Sequence, residues 1–257
     1  MANQVEKMDK SSGIYKNYDL FCRLIKGALA KDENLSIEKI YDGIEHLSCA
    51  MIKLEEEEKG KEQEIFERIN STGVPLNLAD KIRNFVLMTD VDQERLYEDY
   101  WLVMEQMLGN EYLPYFFLDY LHFKLDGFIR EKEAYDEFKV LFGSKKYSNE
   151  KMLSELLHYA KQYNIFLKGD TSLGDDVNGA LDGLRKLKQS TVYLFLFSVF
   201  DDYEDAVIGK EELAKVLHLL LNYSIRRLIC EVNSNSLRGL YKTLYKRVFG
   251  KQENKQH

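Results

Sequence analysis

The chain has 257 residues, enough for one large domain or two modest ones with buried cores. With 45% hydrophobic and 31% charged residues its composition is globular, and its longest apolar run, 192–197, is far short of the about 20 residues a membrane span requires. A net charge of −7 excludes a surface basic throughout, so any nucleic-acid contact must be a local patch.

Two prolines in the whole chain, with long Leu, Ile, Tyr and Phe periodicities, point to a mainly α fold: multi-helical, bundle-like domains with at most one or two short N-terminal strands. The first 13 residues are polar and lack the apolar core of a signal peptide, so a cytoplasmic location is expected. Cys22, Cys49 and Cys230 are odd in number and without C-x-x-C spacing, which suits buried, reduced thiols. Residues 15–30 read as an amphipathic helix with Tyr18, Phe21, Leu24, Ile25 and Ala28 inward, and 35–41 as a short helix capped by Asn34 or Ser36. Leu47, Cys49 and Met51 alternate in 46–54, the pattern of a strand, and a lone strand needs partners for its backbone groups. Residues 55–58 form an acidic connector.

Residues 64–88 then pair two amphipathic segments around a polar loop, Asn70-Ser71-Thr72-Gly73, with Pro75 just behind it. Ile65, Phe66 and Ile69 share one face; Ile82, Phe85 and Val86 share another. Gly73 suits a helix end, Asn77 an N-cap, and Asp80 the first turn beside unpaired amides. Arg83 and Asn84 lie one turn further on. The physics alone allows two readings, a capped corner or a small site for an anionic ligand.

Helices are expected at 92–108, 114–124, 132–142 and 149–168, then at 177–188, 191–200, 210–230 and 235–249. Pro114 fits the first turn of its helix, and the apolar run from Phe116 to Phe123 makes that helix central. Residues 192–200 have the composition of a buried strand, but the helical periodicity around them favours a helix. The loop 169–176 is the candidate boundary between two helical subdomains, 91–168 and 175–257, after a first segment 1–90.

No phosphate-binding loop, dinucleotide fingerprint or nucleophile elbow occurs, and the histidines are never spaced as metal ligands, so no catalytic or metal residue is assigned. A lone histidine on an apolar helix reads as a hydrogen-bonded core residue. The C-terminal segment is different. Between 226 and 251 only Glu231 offsets a run of cations, with Arg238, Lys242 and Lys246 on one face of the last helix. That face is either a solvated surface or, with Arg226 and Arg227, a phosphate-contacting stripe. No exposed aromatic is interleaved with it, so base stacking is not indicated.

The run IFERINSTGVPLNLADKIRNFVLM resembles the F-E-x-x-N-x-x-G-x-x-L-x-x-x-D-L-x-x-N pattern of GmrSD-type, DGQQR-motif proteins, which are bacterial type IV restriction and anti-phage enzymes. Phe66, Asn70, Gly73, Leu76, Asp80 and Asn84 match, while Lys81-Ile82 departs from the usual continuation. Residues 96–101, 135–139 and 226–235 resemble further segments of that family in the same order. Such proteins carry an N-terminal ParB-like nucleotidase domain and often a C-terminal HNH nuclease. In this sequence Asp42, Asp126 and Asp182 each precede glycine but never Gln, and no histidine has proline three residues on. The resemblance therefore implies the middle of such a protein, with 1–90 as the end of its ParB-like domain.

Several expectations follow from that resemblance. Arg68, Asn70, Ser71, Thr72, Gly73, Asp80, Arg83 and Asn84 would form part of a nucleotide-binding pocket. Arg226, Arg227, Arg238, Lys242 and Lys246 would touch DNA weakly. The chain itself would be non-catalytic and without a cofactor, although NTP and a divalent metal would serve the intact parent, an NTP-dependent endonuclease. Its partners would be DNA, the DGQQR and nuclease domains of the parent and a second copy in a homodimer, with no membrane. The alternatives are a free-standing nucleotidase using the Asn70 loop and a helical protein-interaction module.

Overall fold

A computed structural model of the chain describes residues 10, 12–48, 76–87, 92–143, 148–233 and 236–249, and its regular structure is helical, with no strand among the described residues. Two units are distinguished, Met1–Lys59 and Gly60–His257. Where the expected strand at 46–54 is described, it is absent: His46 caps a helix, its Nδ1 2.7 Å from the Asp42 carbonyl oxygen. Residues 49–54 lie outside the described residues.

In the first unit, Ser12 caps α1 (Gly13–Lys31) by accepting from the Tyr15 amide at 3.2 Å. Ser36, rather than Asn34, caps α2 (Ile37–Glu45) by accepting from Lys39 at 3.3 Å. Neither helix has a buried residue, and Phe21 and Ile37 are 63% and 65% exposed. The expected inward face of α1 is thus uncovered, because two short helices supply too little apolar surface to close a core.

The second unit holds α3 (Leu78–Leu87), α4 (Gln93–Leu96), a π turn (Tyr97–Trp101), α5 (Leu102–Lys124), α6 (Ala134–Gly143) and α7 (Asn149–Lys168). After these come α8 (Gly174–Lys186), α9 (Tyr193–Glu204), α10 (Lys210–Ile229) and α11 (Leu237–Phe249). Its core is one continuous cluster of buried side chains from Ala79 to Tyr241. The second half of α5 is the axis, with Phe116, Phe117, Tyr120 and Leu121 fully enclosed. Burying one such side chain contributes roughly 1.5–3 kcal/mol, so this helix anchors its neighbours. Trp101 stacks on Phe117 at 5.6 Å, Tyr163 of α7 meets Phe116 at 5.5 Å, and Phe197 of α9 meets Phe123 at 5.1 Å.

The π turn explains how both ends of Leu96–Trp101 reach that core. An α-helix sets residues five apart about 140° from each other, whereas i→i+5 bonding returns them to one face. Both Leu96 and Trp101 are 1% exposed. The expected break between two helices falls at Gly109, whose φ of 69° interrupts α5. Pro114 is the fifth residue after that break, so it lies inside the helix rather than in its first turn as expected, and its missing N–H leaves the Asn110 carbonyl without its helical donor.

The loop after α7 is pinned rather than loose: the Asn178 side chain accepts from the Asp170 amide at 3.0 Å and donates to the carbonyls of Asp170 and Gly174 at 2.7 and 2.9 Å. α8 packs closely on α10 at Gly183, where a Cβ would lie 2.7 Å from Leu221 Cδ2. Residues 193–204 are helical, as the surrounding periodicity required. Cys22 is half-buried and Cys230, at the end of α10, is exposed, so neither is the buried thiol expected; Cys49 lies outside the described residues. No described helix is long and apolar enough to cross a membrane.

Candidate functional site

The start of α3 is a reciprocal cap. The Asp80 amide donates to Asn77 Oδ1 at 3.0 Å, and the Asn77 amide donates to Asp80 Oδ2 at 3.2 Å. Two donors that the helix leaves orphaned are satisfied by this exchange. Arg83 Nη2 stands 3.6 Å from Asp80 Oδ1, a surface pair of small net worth. Asn84 is half-buried beside them, and Arg68, Asn70, Ser71, Thr72 and Gly73 lie outside the described residues. Asp80 therefore spends both oxygens on its own helix, and the described part of this corner does not by itself cradle a phosphate. Nor, among the described residues, are three His, Cys, Asp or Glu side chains grouped to hold a metal ion.

The basic residues of α11 are drawn into the fold to different degrees. Arg238 Nη1 donates to Asp119 Oδ1 at 2.9 Å, and Tyr163 OH donates to Asp119 Oδ2 at 3.2 Å. Burial pushes the Asp119 carboxyl up to about 6, outweighing the Arg238 guanidinium and the Tyr163 hydroxyl that oppose it. One turn along α5, buried His122 is held down to about 4 by burial first, then by Arg238 and Lys242. Lys242 donates to the Gly127 carbonyl, and its own pKa is lowered chiefly by burial. Lys246 pairs with Asp126 at 3.2 Å, both highly exposed.

These contacts build a cleft of about 280 Å³ between α11 and the turn after α5, lined in part by His122, Phe128, Arg238, Lys242 and Lys246. Phe128 is 77% exposed and rests 5.6 Å from the His122 ring. Within α11 itself Phe249 is 40% exposed, against the expectation of no exposed aromatic there, and the fold brings a further exposed ring, Phe128, from more than a hundred residues away. At the end of α10, Arg226 is exposed, whereas Arg227 lies over the Tyr223 ring at 5.5 Å and donates to the Asn233 carbonyl.

A second polar cluster joins α5, α7 and α9. Asp201 accepts from Tyr159 OH and Gln162 Nε2 at 3.0 and 2.9 Å, and His158 Nε2 lies 3.0 Å from it. Burial acts to raise the Asp201 carboxyl, but the bonds from His158, Gln162 and Tyr159 hold it below the usual range. The Asp201 bond chiefly raises His158. Lys124 closes the network through Tyr159 OH at 3.0 Å and Glu155 at 2.9 Å. No hydroxyl or thiol nucleophile pairs with His158 among the described residues, so the cluster acts as a polar staple across three helices. Of the histidines, His122 is the core residue expected; His158 and His218 are part-exposed and face carboxylates, and His46 is exposed.

Asp119 and Phe128 were missed by the sequence reading. Asp119 had a signal, since a single acid within the apolar run Phe116–Phe123 must find a buried partner.

Residues 3–87 match the family model described as GmrSD restriction endonuclease, N-terminal domain, which supports a relation to the GmrSD-type restriction family. No curated protein matches the chain, and no solved structure does.

Proposed function

We propose that this chain is a non-catalytic helical part of a restriction-like, phage-defence protein, and that its second unit makes weak, electrostatic contact with DNA. The observation that supports this reading most is the family match over residues 3–87, which contains the Asn70 loop and its Asp80 cap. The basic face of α11 adds a physical reason for DNA contact. Lys246 is held only by an exposed pair and Arg226 by none among the described residues, so both are available to phosphates. Phe128 adds an exposed ring in the same cleft as Lys246. Arg238 positions the helix through Asp119, and Lys242 fixes the turn at Gly127.

Nucleotide sensing belongs to the same proposal and falls on the Asn70 loop, with Arg68, Ser71, Thr72 and Gly73 among its candidate residues. NTP and a divalent metal would serve the intact protein there. Titration of the full chain with duplex DNA at low salt tests the contact. Binding that Arg226→Glu and Lys246→Glu each weaken supports it, and no binding, or binding indifferent to both changes, contradicts it.

A further inference from the structure

Between α5, α7, α8 and α11 lies a cavity of about 400 Å³, within the range of small-molecule sites. Its wall carries Tyr112, Tyr115, Tyr193, Arg185, Lys188 and Arg238. All of its lining residues fall outside residues 3–87, so it owes nothing to the family match.

Two features of the wall define a ligand. The first is charge. Three cations face the cavity against one lining carboxylate, Asp119, which Arg238 neutralises at 2.9 Å. Arg185 is held only loosely, 3.4 Å from Asp182 and 3.4 Å from the Phe166 carbonyl. Lys188 makes no side-chain hydrogen bond or ion pair among the described residues. A concave, partly apolar wall concentrates the field of such uncompensated cations on an anion. The second feature is aromatic surface. Tyr112 and Tyr115 are 40% and 61% exposed at the rim, while Tyr193 lies deeper, edge-on to Tyr163 at 5.4 Å. The Tyr193 hydroxyl has no hydrogen-bond partner among the described residues, and burial pushes its pKa up to about 12, so it remains a neutral donor. Flat rings beside cations suit a planar heteroaromatic group joined to a phosphate.

We infer that this cavity binds a free mononucleotide, its phosphate held by Arg185 and Lys188 and its base set against the tyrosines.

Lys188 allows a clean test because of its backbone. It occupies the left-handed position that closes α8, with φ 55°; its amide reaches the Arg185 carbonyl at 2.8 Å, and the next amide reaches Leu184 at 3.1 Å. Glycine is the preferred residue there. Lys188→Gly therefore removes the cation while relieving the backbone, and loss of binding cannot be blamed on a damaged fold. The full chain is titrated by NMR with AMP, GMP, CMP and UMP, with the corresponding nucleosides, with inorganic phosphate and with a short single-stranded oligonucleotide. At least one mononucleotide is expected to bind at least about tenfold more tightly than its nucleoside or phosphate alone, as each charge-assisted bond implies. Lys188→Gly and Arg185→Gln should each weaken it about tenfold or more, with the unfolding midpoint of Lys188→Gly unchanged or raised. The inference is overturned if no mononucleotide binds, if phosphate alone binds as well, if only the oligonucleotide binds, or if both variants bind like the parent. None of these results depends on duplex DNA binding through α11.

Discussion

Arg238 and Asp119, 119 positions apart in sequence, meet at 2.9 Å and join the C-terminal helix to the central one. The two partners are not equally enclosed, since the Arg238 side chain is 31% exposed and that of Asp119 only 7%. That asymmetry sets what their removal does. Arg238→Met strands a buried carboxylate and should destabilise the fold by roughly 3 kcal/mol at neutral pH. Asp119→Asn leaves a cation that can turn to water and should cost about 1–2 kcal/mol. Urea denaturation of the two variants checks the order, and equal losses would mean that the pair is not buried as described.

The pH dependence around this pair has two opposing parts. Asp119, at about 6 in the fold against about 3.9 in an unfolded chain, takes up a proton on folding. Its contribution to stability is therefore greatest below about pH 4 and falls as pH rises to about 6. His122, at about 4 against about 6.5 unfolded, gives up a proton on folding. Its contribution is full above about pH 6.5 and is lost as pH falls toward about 4. Each effect is worth roughly 3 kcal/mol, so together they nearly cancel. The stability gap between parent and Asp119→Asn should widen from pH 6.5 to 4.5, and the gap to His122→Gln should shrink over the same interval. Unfolding free energies at the two pH values decide it; gaps that ignore pH would contradict the assignment.

The reciprocal cap at α3 predicts a third pair of values. Asn77→Ala and Asp80→Ala should each lower stability by about 1 kcal/mol, and the double variant by close to their sum, because each substitution removes one side-chain acceptor and leaves the other bond, which runs from a backbone amide, in place. Calorimetric midpoints of the three variants check this, and a double variant no less stable than either single one would contradict two separate bonds.

Three helices end on a non-glycine residue with positive φ: Lys188, Ala206 and Glu231. Ala206, with φ 56°, lines no described cleft, so its replacement reads the backbone alone. Relief of a left-handed conformation is worth about 1–2 kcal/mol, against about 0.4–1 kcal/mol lost to the freer unfolded chain. Ala206→Gly should thus stabilise the protein by up to about 1 kcal/mol in denaturant unfolding. A loss would show that the alanine is not strained there.

Much of this architecture was legible in local sequence. The run Phe116–Phe123 marked the central helix, Asn77 and Asp80 marked a helix start, and α7 at Asn149–Lys168 has the predicted limits, because capping and periodicity act within a few residues. Relations fixed by tertiary packing were not legible. The amphipathic pattern of α1 could not say what covers Phe21, and the stripe Arg238–Lys242–Lys246 could not say that the first of these is bound to Asp119. The π turn escaped for a different reason: Leu96 and Trp101 share a face only after the helix has widened. The cavity inferred to take a mononucleotide draws its tyrosines from α5, α7 and α9 and its cations from α8, the turn after it and α11, a convergence no single segment displays.

The account stands most directly on the salt dependence of duplex DNA binding. The logarithm of the observed binding constant should fall linearly with the logarithm of salt concentration, with a slope of about −0.9 for each phosphate contacted. Lys246→Ala should flatten that slope by about 0.9, and Lys246→Ala with Arg226→Ala by about twice as much. Lys188→Gly, outside the DNA face, should leave it unchanged. A slope near zero in the parent chain, or one that neither α10 nor α11 variant alters, would contradict the claim that this helical unit contacts DNA.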